Sequence, residues 1–64
     1  MPFVIKKYKV TIGKKIQLAL IQDLSLNIKL SQRYLSRGRI FDSENNTYQM
    51  SDLIKEEFIY VAEF

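Results

Sequence analysis

Residues 27–40 read Asn27-Ile28-Lys29-Leu30-Ser31-Gln32-Arg33-Tyr34-Leu35-Ser36-Arg37-Gly38-Arg39-Ile40. This stretch carries its own start and stop signals for one short helix. Asn27 is a favoured N-cap residue, because its side-chain oxygen can accept from the first free backbone N–H groups. Gly38 suits the position just past the last turn, where the chain closes in a left-handed conformation. Between the two, Lys29, Arg33 and Arg37 are spaced i, i+4, i+8. At 100° per residue they fall within roughly an 80° arc, a single basic stripe. Arg39 follows directly after the cap. Ile28, Leu30, Ser31, Tyr34 and Leu35 take the opposite side, with Ser31 the one small residue among bulky ones. A helix that packs by one face and offers a row of cations on the other suits a polyanion.

The charge distribution extends this reading. Residues 1–39 hold nine Lys/Arg against Asp23 alone, a net of +8. Residues 40–64 hold Lys55 against six carboxylates, a net of −5, so the overall +3 conceals a polarised molecule. Such asymmetry between halves points to a nucleic-acid face. The competing explanation is that a basic stripe is only a solvated helix face.

Sixty-four residues make one small domain. A domain of this size buries only about 60% of its unfolded surface, so the fold has little stability to spare. With no cysteine, disulfides and thiolate metal sites are excluded. The chain also lacks histidine, so we expect no metal and no cofactor. Lys6, Lys7 and Lys9 interrupt the apolar N-terminus, so no secretory h-region is expected there, and no apolar run is long enough for a membrane span. A cytoplasmic location fits the absence of cysteine.

Upstream of Asn27, Phe3 to Val10 alternates as a strand, with Val4, Lys6, Tyr8 and Val10 opposite Phe3, Ile5, Lys7 and Lys9. Gly13 breaks it. Lys14 to Leu24 reads as a first helix, with Ile16, Ala19, Leu20 and Leu24 at helical spacing, and a short connector leads into the Asn27 cap. Downstream, residues 39–41 read as a short strand, 42–46 as a polar turn and 47–50 as a returning strand. Residues 51–57 are ambiguous, and Phe58 to Phe64 is the clearest strand. The fold class expected is α+β, with two packed helices (14–24 and 28–37) against a small, mostly antiparallel sheet of 39–41, 47–50 and 58–63, joined by 3–8.

In this order and spacing the chain resembles the S-four-like RNA-binding domain, named after small-subunit ribosomal protein four and also known as the αL motif. The likeness is greatest to the copy at the N-terminus of RluA-like pseudouridine synthases. It rests on Gly13-Lys14-Lys15-Ile16-Gln17, where the family opens its first helix with Gly-Lys-Arg-Leu-Asp. It rests also on Tyr34-Leu35-Ser36-Arg37-Gly38-Arg39-Ile40, where the family ends its second helix with Leu-Ile-x-x-Gly-x-Val. Ile28 stands where the family has the arginine of Ser-Arg, and Glu56-Glu57 where it has Gly-Asp. The resemblance covers Gly13 to Val61 and implies a module that docks structured RNA, ribosomal or transfer. The RNA-binding residues expected are Lys29, Arg33, Arg37 and Arg39, with Lys14 and Lys15 extending the patch if the helices pack side by side.

Chemistry by this chain alone is not expected. No Ser-His or Cys-His pair is possible, and two glycines, at 13 and 38, make no phosphate loop. The family's catalytic aspartate lies in an Arg-Leu-Asp motif of a downstream domain, and that motif is absent here. The ending at Phe64, directly after an apolar strand, leads us to expect the N-terminal part of a longer RNA-modifying enzyme, with its catalytic domain as a partner in cis. The alternatives are a free-standing ribosome-associated RNA-binding protein and a protein-interaction module that pairs through an edge strand. A ubiquitin-like β-grasp carrier is disfavoured, because Val61-Ala62-Glu63-Phe64 lacks a Gly-Gly tail. Phe41 and Tyr48 are candidates for base stacking, although burial is the simpler role for both.

Overall fold

The structure, a computed structural model, describes residues 3–63. Strand β1 (Val4–Lys9) is followed by helices α1 (Ile16–Gln22) and α2 (Ile28–Ser36), then by strands β2 (Ile40–Phe41) and β3 (Phe58–Glu63). The sheet runs in the order β1-β3-β2 and is antiparallel throughout, as the α+β reading requires. β3 is central: it pairs with β1 from Val4↔Glu63 to Lys9↔Phe58, and with β2 at Ile40↔Val61 and Phe41↔Tyr60. No helix among the described residues is long and apolar enough to cross a membrane.

Strand alternation sorts the sheet into two faces. Ile59, Val61 and Ile40 are fully buried and face the helices, where they meet Ile16, Ala19, Leu20 and Leu35. Tyr8 and Tyr34 pack around the edge of this core. Each large aliphatic side chain so buried contributes about 1.5–3 kcal/mol, which is how so small a chain sustains a fold without a crosslink.

α1 is shorter than the expected 14–24, and the reason lies in its start. Gly13 turns the chain at φ +91°, and Lys15, the N-cap residue, makes no side-chain capping bond. Residues 13–16 pair with a distant segment instead. The Gly13 N–H donates to the Ile54 carbonyl (2.8 Å), the Ile54 N–H to the Lys14 carbonyl (2.8 Å), and the Ile16 N–H to the Asp52 carbonyl (2.9 Å). An orphan N–H of the helix terminus is thereby satisfied by tertiary structure. At the other end Asp23 caps α1, and Ser25, at φ 61°, reverses the chain toward α2.

The expected returning strand over 47–50 does not form. Thr47 makes a single bridge to Phe41 and the Tyr48 N–H reaches the Ile40 carbonyl (2.9 Å). The Tyr48 ring then turns into the core at 1% exposure, which ends the pairing. The ambiguous stretch 51–57 is the segment that pairs with residues 13–16, and it adds Ile54 to the core. The expected strand 39–41 is confined to Ile40–Phe41, and Phe64, expected to end the last strand, lies outside the described residues. Ile28, expected on the packing face of α2, is 58% exposed because it occupies the first turn, beyond the cover of the core.

Candidate nucleic-acid interface

α2 is closed at both ends by the devices its sequence encodes. The Asn27 Oδ1 accepts from the Leu30 N–H at 2.7 Å. At the far end Gly38 sits at φ 64°, its N–H donates to the Leu35 carbonyl (3.2 Å), and the Arg39 N–H donates to the Tyr34 carbonyl (3.0 Å). This pair of crossed bonds is the Schellman arrangement, and only a residue that tolerates positive φ closes it without strain. Ser31 is fully buried on the core side, its hydroxyl donating to the Ile28 carbonyl at 2.9 Å. With the packing face so fixed, the rotation of the basic stripe follows.

Lys29, Arg33 and Arg37 are all exposed. The Schellman turn folds Arg39 back against the last turn of the helix. Arg33, Arg37 and Arg39, with Leu30 and Tyr34, consequently line one depression. The Arg39 guanidinium lies over the Phe3 ring, 5.7 Å from its centroid, a cation–π contact that orients it. Among the described residues, no ion pair engages Lys29, Arg33 or Arg37; the four present are Lys6–Glu63, Lys9–Glu57, Lys14–Asp23 and Lys55–Asp42. Arg33 and Arg37 near the helix C-terminus also complement its dipole, typically by 0.3–1 kcal/mol each. That stabilisation does not consume their charge, and the guanidinium groups remain open to an anion.

The other two cations expected in the patch sit elsewhere. Lys14 is committed to Asp23 at 3.1 Å, and Asp23 also accepts from the Thr11 N–H (3.2 Å). The Lys14 contact holds the Asp23 carboxyl below its ordinary range. Lys15 stands at the start of α1 on a different groove, beside Leu18, Ile21 and Met50. The structure therefore groups Arg33, Arg37 and Arg39, keeps Lys29 one turn away on the same helix, and leaves Lys14 and Lys15 outside the depression.

Tyr34 is half-buried at the edge of that depression, with one side against the core. Tyr48 is buried, and its hydroxyl titrates above its ordinary range chiefly because burial disfavours the phenolate. Phe41 is half-buried on the outer face of the sheet. The adjacent carboxylates Glu56 and Glu57 point to separate partners, Glu56 to Ser43 (2.7 and 2.8 Å) and Glu57 to Lys9 (3.6 Å).

Sequence reasoning missed Asp42, which is 2% exposed. Its Oδ1 accepts from the Glu44 and Asn46 N–H groups (2.8 and 2.9 Å), and its Oδ2 meets Lys55 at 3.2 Å. The Asn46 N–H bond is foremost in holding this carboxyl below its usual range, against the cost of burial and with help from Lys55. The role is to fix the 42–46 turn. The available signal was Asp at the head of a polar run, where Asx turns begin.

These features define a small α+β domain whose second helix displays a basic stripe continued by the residue after its cap. Comparison with family models, with curated proteins and with solved structures finds no match.

Proposed function

We propose that this domain binds structured RNA through the α2 stripe, with Lys29, Arg33, Arg37 and Arg39 neutralising phosphates. The observation that carries the reading is the grouping of three arginines at one helix end, Arg33 and Arg37 exposed and Arg39 half-buried beside them, on a helix whose opposite face is locked into the core. Cations at phosphates release condensed counterions, which supplies most sequence-independent affinity. A helix face can recognise RNA by shape and backbone, since the deep major groove of A-form RNA hides its base edges. The resemblance to the S-four-like domain supports RNA over other polyanions.

In the same reading the domain is a docking arm for an RNA-modifying enzyme of the RluA-like pseudouridine synthase type, acting in the cytoplasm on ribosomal or transfer RNA. A tethered module raises the local RNA concentration at its catalytic partner, on the order of millimolar for a short linker. Weak intrinsic binding is then sufficient, in keeping with a patch of four cations.

The test is titration of the labelled domain with a hairpin RNA while backbone resonances are followed. Shifts are expected to concentrate on residues 29–39. The triple change of Lys29, Arg33 and Arg37 to Ala is expected to weaken binding and flatten its salt dependence while leaving the core resonances in place. Unchanged binding by that variant would reduce the stripe to a solvated face.

A further inference from the structure

We propose that the outer face of the sheet holds an unpaired base of an RNA strand that runs on from the α2 stripe. This rests on the RNA-binding reading above and assigns a second, chemically different site beside it.

The face turned away from the helices is defined by register. It presents Phe3, Ile5, Lys7 and Lys9 from the β1 side, Phe58, Tyr60 and Ala62 from β3, and Arg39 and Phe41 from the β2 side. A small domain should bury such side chains, yet Phe3 and Ile5 are 52% and 53% exposed, and Phe41, Phe58 and Tyr60 are only partly covered. Ile5, Phe41 and Tyr60 form the apolar walls of an open groove of about 410 Å³. That is the low end of the roughly 300–1,000 Å³ found for sites that hold one small flat molecule.

The polar groups around the groove are nearly all committed. Asp42 is spent on two backbone N–H groups and Lys55, and Ser43 on Glu56. Asn45, held at the rim with φ 66°, is the residue placed to read a base edge, since its amide both donates and accepts. Two aromatic walls with one adaptable amide at the rim is the chemistry that takes an unstacked nucleobase.

Charge decides between occupants. The strands of the face carry three cations and, among the described residues, no carboxylate; the one acid lining the groove, Asp42, is paired with Lys55. Lys9 is balanced by Glu57, whereas Lys7 lies over the Phe58 ring at 4.3 Å, beside Tyr60 in the register. A second copy of this chain docked by the same face would set these cations against their equivalents. A phosphodiester chain would meet them with opposite charge. Arg39 makes the two sites continuous: it lines the α2 depression and also lies over Phe3 on the sheet face.

The experiment compares two labelled RNAs at one salt concentration, a blunt hairpin and the same hairpin with a single-stranded pentauridine tail. For the 64-residue chain, the tail is expected to raise affinity about tenfold, the gain typical of one stacked base. Phe41→Ala and Tyr60→Ala are expected to reduce that gain to about twofold or less, with affinity for the blunt hairpin unchanged. Lys7→Ala, on an exposed side chain, should lower the salt slope by about one for the tailed RNA only. Should either ring variant unfold, chemical-shift mapping on the unaltered chain serves instead. The tail should then move Ile5, Phe41, Asn45 and Tyr60 in addition to the α2 residues. Equal affinity for both RNAs, with shifts confined to α2, would overturn this site and leave the proposed function standing. Failure of both RNAs to bind would overturn both. Movement of the same resonances with protein concentration, in place of RNA, would assign the face to a second copy and likewise overturn the proposal.

Discussion

Residues 27–40 and residues 42–57 are neighbours of similar length held in opposite ways. The first stretch closes on itself: an asparagine cap, a two-turn helix and a Schellman turn, all made by residues within six positions of one another. The second contains no named helix or strand; side-chain bonds such as Asp42–Lys55 and Ser43–Glu56 tie its turns together, but its placement comes from outside. Tyr48 is held by the core and by the Ile40 carbonyl, and the main chain of 52–57 by the backbone of Val10, Gly13, Lys14 and Ile16. A self-contained element can present a functional face while the rest of the domain varies. A borrowed one takes its shape from the elements it pairs with, here residues 10–16 and the core.

Five changes would break or sharpen that contrast. The largest effect is expected for Ser31→Leu. Ser31 has no exposed surface, so the extra atoms have nowhere to go, and overpacking should cost about 1–3 kcal/mol in a urea melt. A neutral result would mean that the packing face of α2 is loose, and with it the aim of the stripe. Next in size, Asn27→Ala should remove the 2.7 Å capping bond and cost about 1 kcal/mol. The same loss is expected for Gly38→Ala, through its positive φ alone, since the nearest atom to an added Cβ is the Thr47 methyl at an ordinary 3.7 Å.

Asp42→Ala addresses the other region. It should leave α2 amides protected from hydrogen exchange and speed exchange at Glu44, Asn46 and Tyr48, because the turn that seats Tyr48 loses its carboxylate. Uniform loss of protection would show instead that the two regions open as one unit. The smallest effect concerns Tyr8, whose hydroxyl donates to Glu63 across the sheet. That bond, with burial behind it, pushes the Tyr8 pKa up to about 12 from 10.0. The folded state holds this proton more tightly than the unfolded one, so the contribution to stability is complete below pH 10 and is lost as pH rises toward 12. Ultraviolet titration should find one tyrosine ionising late, and Glu63→Gln should return it toward the others.

The contrast also explains what could be read in advance. α2, its caps and its stripe follow from rules that operate over three to six residues, so they were legible in Asn27, Gly38 and the cation spacing. β1 and β3 were legible from alternation alone. The start of α1 was misjudged by two residues, because Lys14 and Lys15 are drawn off by residues 52–54, which are nearly forty positions away. The strand expected at 47–50 failed for a related reason. Its β-forming residues are outweighed by the burial of one ring, Tyr48. Of the candidate site, Arg33, Arg37 and Arg39 are brought together, while Lys14 is removed by Asp23, a pairing between residues nine apart that no local pattern announces.

The most direct test of the central claim is the salt dependence of RNA affinity for the unaltered chain and for the triple Ala variant at Lys29, Arg33 and Arg37. With about four phosphate contacts at a slope of about −0.9 each, affinity should fall roughly 30- to 50-fold between 50 and 150 mM salt. With Arg39 alone remaining, the fall should shrink to about threefold. An identical steep slope for both proteins would place the phosphate contacts elsewhere and contradict the account.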